Sequence, residues 1–126
     1  MFELTITTDF EAAHRIPEYP GKCQRLHGHN WKVEVAVSGE GLDHLGMLVD
    51  FRVLKQEVAK VIATLDHYYL NELAAFQTIC PTAENIACHI YKKLVKSASL
   101  PAAVTVSYVK VWESPYSAVS YREGGQ

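Results

Sequence analysis

The chain has 126 residues and nearly balanced charge, 12 Lys and Arg against 14 Asp and Glu, with no long run of one sign. That length suits one domain over residues 1–126 with a real core, but not two. The charge balance excludes the basic face or stripe of a nucleic-acid binder and leaves room for a small anionic ligand. No apolar stretch approaches membrane-spanning length, and the first residues are acidic where a secretory leader would be basic, so a cytoplasmic protein with no membrane partner is expected. Three cysteines, Cys23, Cys80 and Cys88, are an odd set that does not suit a disulfide framework.

From Phe2 the residues alternate. Phe2, Leu4, Ile6, Thr8, Phe10 and Ala12 oppose Glu3, Thr5, Thr7, Asp9 and Glu11, which predicts a strand with one buried face and His14 at its end. Pro17, Pro20 and Gly21 break that pattern in a loop that carries Arg15, Lys22 and Arg25. Next comes Cys23-Gln-Arg-Leu-His-Gly-His29, three strong metal-ligand or nucleophile candidates within seven residues. His27 and His29 project to one side if the backbone is extended, and a neighbouring antiparallel strand can bring His14 alongside. Three neutral imidazoles leave one tetrahedral position of a zinc ion open, as in a catalytic site, with Cys23 a nucleophile or base beside it. The alternative is a pair of surface histidines with no metal role.

Trp31, Val33, Val35 and Val37 alternate with Lys32, Glu34, Ala36 and Ser38, a second strand to about Ser38. Gly39, Gly41 and Gly46 mark a loose turn in which His44 is an exposed loop residue. Asp50 caps a helix whose apolar stripe is Phe51, Leu54, Val58, Val61, Ile62 and Leu65. Asp66 and His67 follow. Adjacent side chains do not easily bond each other, so capping and loop roles suit them better than a catalytic pair. Cys80 is given a structural role.

Thr82 caps a second helix, with Glu84 in its first turn and Ile86, Ala87, Ile90, Leu94 and Val95 as its stripe. Within it Cys88 reads as a small core hydrophobe and His89 as a solvated residue. Val104 to Trp112 is a third strand and Tyr116 to Arg122 a fourth. Glu113, between them, is either a solvated carboxylate or a ligand anchor, with the solvated role favoured. The order ββααββ predicts an α+β fold: a four-stranded antiparallel sheet with two helices on one face. Strands with apolar or aromatic residues on both sides would leave the second face to be covered by copies of the chain, a homo-oligomer.

Several motifs in order carry a resemblance: Phe10-Glu-Ala-Ala-His-Arg, Lys22-Cys-x-x-x-His-Gly-His, Val49-Asp-Phe with Leu54-Lys55, Leu65-Asp-His-x-x-Leu-Asn, Pro81-Thr-x-Glu-Asn and Trp112-Glu113. The chain resembles the 6-pyruvoyl-tetrahydropterin synthase superfamily almost end to end. Within it, the three residues between Cys23 and His27 are similar to the bacterial 6-carboxy-tetrahydropterin synthases of queuosine biosynthesis; the mammalian type has five. Ala83 stands where the mammalian type has a second threonine.

The resemblance implies zinc bound by His14, His27 and His29, a catalytic set of Cys23, Asp66 and His67, and a pterin ring held by Glu113 with help from the Thr82 region. It implies the tunnelling fold, in which trimers close a β-barrel and two trimers stack into a homohexamer with active sites between subunits. The implied substrate is 7,8-dihydroneopterin triphosphate, cleaved to 6-carboxy-5,6,7,8-tetrahydropterin, acetaldehyde and triphosphate. Arg15, Lys22 and Arg25 are candidate triphosphate contacts. Two alternatives stand beside this: a 6-pyruvoyl-forming synthase that only eliminates triphosphate, and a non-catalytic pterin- or metal-binding oligomer.

Overall fold

The computed structural model describes residues 1–18, 21 and 25–124. The expected alternation produces β1 (Phe2–His14) and β2 (His27–Gly39), followed by α1 (Phe51–Ala63), α2 (Ala83–Val95), β3 (Thr105–Ser114) and β4 (Ser117–Tyr121). Every neighbouring pair is antiparallel, in the order β1-β2-β3-β4. The α+β class and the four-stranded sheet are therefore as the sequence predicts. The second strand begins at His27, so the His-Gly-His motif lies inside β2 and not ahead of it.

One face of the sheet makes the core. Ile6, Phe10 and Ala12 of β1, Trp31, Val33, Val35 and Val37 of β2, and Val109 and Val111 of β3 are buried against Leu54, Val58 and Ile62 of α1 and Ile86, Ile90 and Leu94 of α2. These are the period-two and period-three-to-four positions of the sequence, and burying them supplies most of the driving force for the fold. The helices start where expected. The Asp50 carboxylate accepts from the Arg52 N–H at 2.8 Å, and the Thr82 hydroxyl accepts from the Asn85 N–H at 3.2 Å.

Between the helices lie two 3-10 turns, Leu70–Glu72 and Ala74–Phe76, which the sequence reading passed over because three residues carry no usable periodicity. They correct one expectation. His89 is half-buried, its ring centre 5.5 Å from that of Phe76, and burial lowers its pKa. Cys88 is likewise half-buried and not fully in the core, whereas Cys80 has an exposed thiol and serves through its carbonyl, which accepts from the Thr82 N–H and Asn85 Nδ2. His44 is exposed, as expected.

The second face of the sheet is more polar than expected. Glu3, Thr5, Thr7, Asp9 and Glu11 are exposed along β1. Beside them the Lys32 and Lys110 amines lie 4.5 and 4.7 Å from the Trp112 ring centre, and the Tyr108 hydroxyl donates to Glu34. Trp112 and Tyr108 are aromatic there, but charge surrounds both. On the side away from β2, β1 forms a parallel bridge between Ala13 and Tyr69, and toward its start no strand pairs with that outer side among the described residues.

Candidate active site

Strand register builds the first cluster. His14 stands opposite His27 across the β1–β2 ladder and Ala12 opposite His29, so all three imidazoles emerge on the side that carries Trp31. Their ring centres lie 4.4, 5.1 and 4.8 Å apart, and one nitrogen from each falls within 4.8 Å of the others. Trp31 is the floor: its ring centre is 5.0 Å from those of His14 and His29, and its indole N–H donates to the Ala12 carbonyl at 3.2 Å.

The hydrogen bonds around the cluster set its tautomers. His14 Nδ1 lies 2.8 Å from the Pro81 carbonyl and His27 Nδ1 2.7 Å from the Arg25 carbonyl. A carbonyl only accepts, so both Nδ1 atoms carry the hydrogen, which leaves Nε2 as the atom either ring would offer a metal. His14 Nε2 and His29 Nε2 are buried with no hydrogen-bond partner. Burial is also the main reason that both rings have lowered pKa values, which favours their neutral, ligating form. Orphaned buried nitrogens are costly, and three converging imidazoles, two of them anchored through Nδ1, are the donor set zinc takes. The residues present therefore fit that ion.

Glu113, for which the sequence favoured a solvated role, is only partly exposed, and its Oε1 lies 3.7 Å from His29 Nε2, too long for a hydrogen bond. The β3 register brings it there, beside the end of β2. Thr82 is next to Pro81, whose carbonyl holds His14, so the cap of α2 and the histidine cluster share one segment.

Asp66 and His67 form a second group, and here the sequence reading is corrected. Asp66 Oδ1 lies 3.0 Å from His67 Nδ1. Adjacent residues achieve this because His67 has φ +62°, the left-handed conformation, which turns its ring back toward its neighbour. Asp66 also accepts the Glu11 N–H at 3.0 Å, the main reason its pKa lies below the ordinary carboxylate value. The segment is pinned to β1 by two further bonds, His67 N–H to the Glu11 carbonyl and Ala13 N–H to the Tyr68 carbonyl. Asn71 finishes the seam: its side chain accepts from the Arg15 N–H at 2.8 Å and donates to the Arg15 carbonyl at 2.9 Å.

His14 follows the buried parity of Phe10 and Ala12, whereas His67 sits by Glu11, of the exposed parity, in an open cleft of about 470 Å3 whose lining includes His29 as well as Gly28, Asn30, Tyr68 and Tyr69, so the two groups border one cleft. Cys23 and Lys22 lie outside the described residues; Arg15 and Arg25 are exposed. The sequence reading missed Glu11, which looked like one polar position of an alternating strand, and Pro81, whose contribution is a main-chain carbonyl.

The geometry defines a small α+β protein with a candidate metal centre at one end of its sheet. The chain belongs to the 6-pyruvoyl tetrahydropterin synthase family, whose sequence model matches residues 3–124. It is 40% identical over 117 residues to a 6-carboxy-5,6,7,8-tetrahydropterin synthase of Synechocystis, covering 89% of this chain and 86% of that one. It is 38% identical over 127 residues to the Bacillus subtilis protein of the same name, covering 96% and 85%. Among solved structures, the 6-pyruvoyl tetrahydropterin synthase of Caenorhabditis elegans superposes with a TM-score of 0.87 at 31% identity, covering 98% of this chain and 96% of that one.

Proposed function

We propose that this protein is a zinc-dependent 6-carboxy-5,6,7,8-tetrahydropterin synthase, a lyase that converts 7,8-dihydroneopterin triphosphate and one water to 6-carboxy-tetrahydropterin, acetaldehyde and triphosphate in the cytoplasm, for queuosine biosynthesis. The observation that carries the reading is the cluster of His14, His27 and His29, in which the Nε2 atoms of His14 and His29 are buried and partnerless, with Glu113 at its rim. Family membership supports an enzyme acting on a pterin, and the names of the bacterial relatives support the carboxy branch. So does the three-residue interval between Cys23 and His27.

Each residue has a task in this reading. His14, His27 and His29 hold the zinc, which when bound supplies Lewis-acid polarisation of the substrate's side-chain hydroxyls. Glu113 accepts from the pterin's amino group and ring N–H, two donors on one edge, and so fixes the side chain near the histidines. The Thr82 segment supports that contact. Cys23 removes a proton from the substrate side chain. A free thiol titrates near 8.5, about a unit and a half above neutrality, and its sequence neighbours Lys22 and Arg25 favour the thiolate. His67, oriented by Asp66, moves the second proton at neutral pH. In this reading the active sites of a homohexamer lie between subunits, and Asp66 and His67 serve a neighbouring chain's Cys23.

The 31% identity to a 6-pyruvoyl tetrahydropterin synthase over nearly the whole chain favours a second reading, in which triphosphate is eliminated and no carbon–carbon bond is cut. The deciding experiment incubates zinc-loaded protein with 7,8-dihydroneopterin triphosphate and identifies the pterin by mass. The expected product is 6-carboxy-tetrahydropterin with acetaldehyde. A 6-pyruvoyl product would move the protein to the other branch, and no turnover in a zinc-replete oligomer would make it a binding protein.

A further inference from the structure

The imidazole of His67 is 73% exposed, and so has little packing to fix its ring plane. An unpacked side chain loses rotamer freedom when it is ordered, and that cost has to be offset by directed contacts. His67 has two. Asp66 Oδ1 faces Nδ1 at 3.0 Å and Glu11 Oε2 faces Nε2 at 3.4 Å, so each ring nitrogen looks at a carboxylate oxygen. The Glu11 main chain makes the same connection a second time: its N–H donates to Asp66 Oδ1 at 3.0 Å and its carbonyl accepts the His67 N–H. One residue of β1 thus touches the histidine's backbone, its ring and its carboxylate partner. Glu11 and His67 both line the same open cleft.

We propose that Glu11 is a positioning residue: its carboxylate holds the His67 ring at Nε2 while Asp66 holds it at Nδ1, so that the ring plane is fixed at the cleft. This rests on the proposed role of His67 in moving a proton. A proton-transfer group gives its full rate only when held in register with the reacting atom, and a ring tethered at one nitrogen still swings about that tether. The left-handed backbone at His67 brings the ring to Asp66; the Glu11 carboxylate removes the remaining rotation. Asp66 by itself sets which nitrogen is bonded and leaves the ring plane free.

Side-chain variants separate the clamp from the scaffold, because the main-chain bonds of residue 11 persist in all of them. In zinc-loaded protein Glu11→Gln and Glu11→Ala are expected to lower kcat by about 10- to 100-fold, the loss typical when the orienting partner of a functional histidine is removed. KM, zinc content and melting temperature should stay at wild-type values, and Glu11→Asp should recover part of kcat. Histidine-selective 15N spectra give an activity-independent readout: Glu11→Gln should shift the Nε2 resonance of His67 and leave Nδ1 in place. Unchanged kcat in Glu11→Ala, or a loss of kcat that tracks lost folding, would overturn the proposal. If the wild type turns over no pterin triphosphate, the functional reading fails by itself, and an Nε2 resonance indifferent to Glu11→Gln would then overturn the clamp.

Discussion

On α2, His89 lies beside Phe76, and burial is the main reason its pKa is held below the ordinary 6.5, with Lys93 adding to the effect. A lowered value in the folded state means that the native protein binds this proton less readily than the unfolded chain does. Its neutral form therefore supports the fold above about 6.5, and that support is lost as pH falls through the lowered folded value. Urea unfolding should show stability declining from pH 7 to pH 5, with a shallower slope in His89→Leu. Equal slopes would mean that His89 is solvated after all. The sequence could not show this, because the helix stripe leaves His89 outside it, and the turn at Ala74–Phe76 brings Phe76 against the ring. Asp66 and His67 make the same point: their contact depends on one positive φ, which no periodicity in a sequence reports.

At the scale of elements, the cap of α2 does two things. The Thr82 hydroxyl satisfies the Asn85 N–H, and the preceding Pro81 carbonyl holds His14 Nδ1. Thr82→Ala should cost about 1 kcal/mol of stability, the usual loss for a cap, and Thr82→Ser should restore most of it. Denaturant unfolding measures both. Since the His14 ring is anchored from the same segment, zinc affinity measured by chelator competition should fall in the alanine variant more than in the serine variant. Strand pairing has a comparable double role. Register alone places His14 opposite His27, and a slip by one residue would turn one strand's histidines to the other face of the sheet.

For the whole molecule, His29 and His67 line one open cleft beside β1, and the outer edge of that long strand is only partly occupied. An unpaired edge offers backbone groups to another chain. The proposed subunit-interface site makes a direct prediction. Cys23→Ala and His67→Ala proteins should each be inactive, while co-expression should give mixed oligomers in which roughly a quarter of the sites combine an intact Cys23 with a neighbour's intact His67. Activity would then return to about that fraction of wild type in a turnover assay. If no activity returns from mixed oligomers, the site lies within one chain.

By itself the sequence determined the parts that depend on local period and local chemistry. The alternation from Phe2 to Ala12 and from Trp31 to Val37 made strands with one buried face, the stripes made two helices, and Asp50 and Thr82 marked their starts. His-x-His at strand spacing was legible as well, and His14 followed from the expectation of an antiparallel neighbour. Only the tertiary structure decided the rest. It brought Glu113 toward His29 through the register of β3, tied His14 to a carbonyl at Pro81, and set Glu11 against His67 across more than fifty residues of chain. Such contacts arise from register and from a single left-handed residue, and neither leaves a repeat in the sequence, because the residues that meet are chosen by how the elements pack and not by their spacing along the chain.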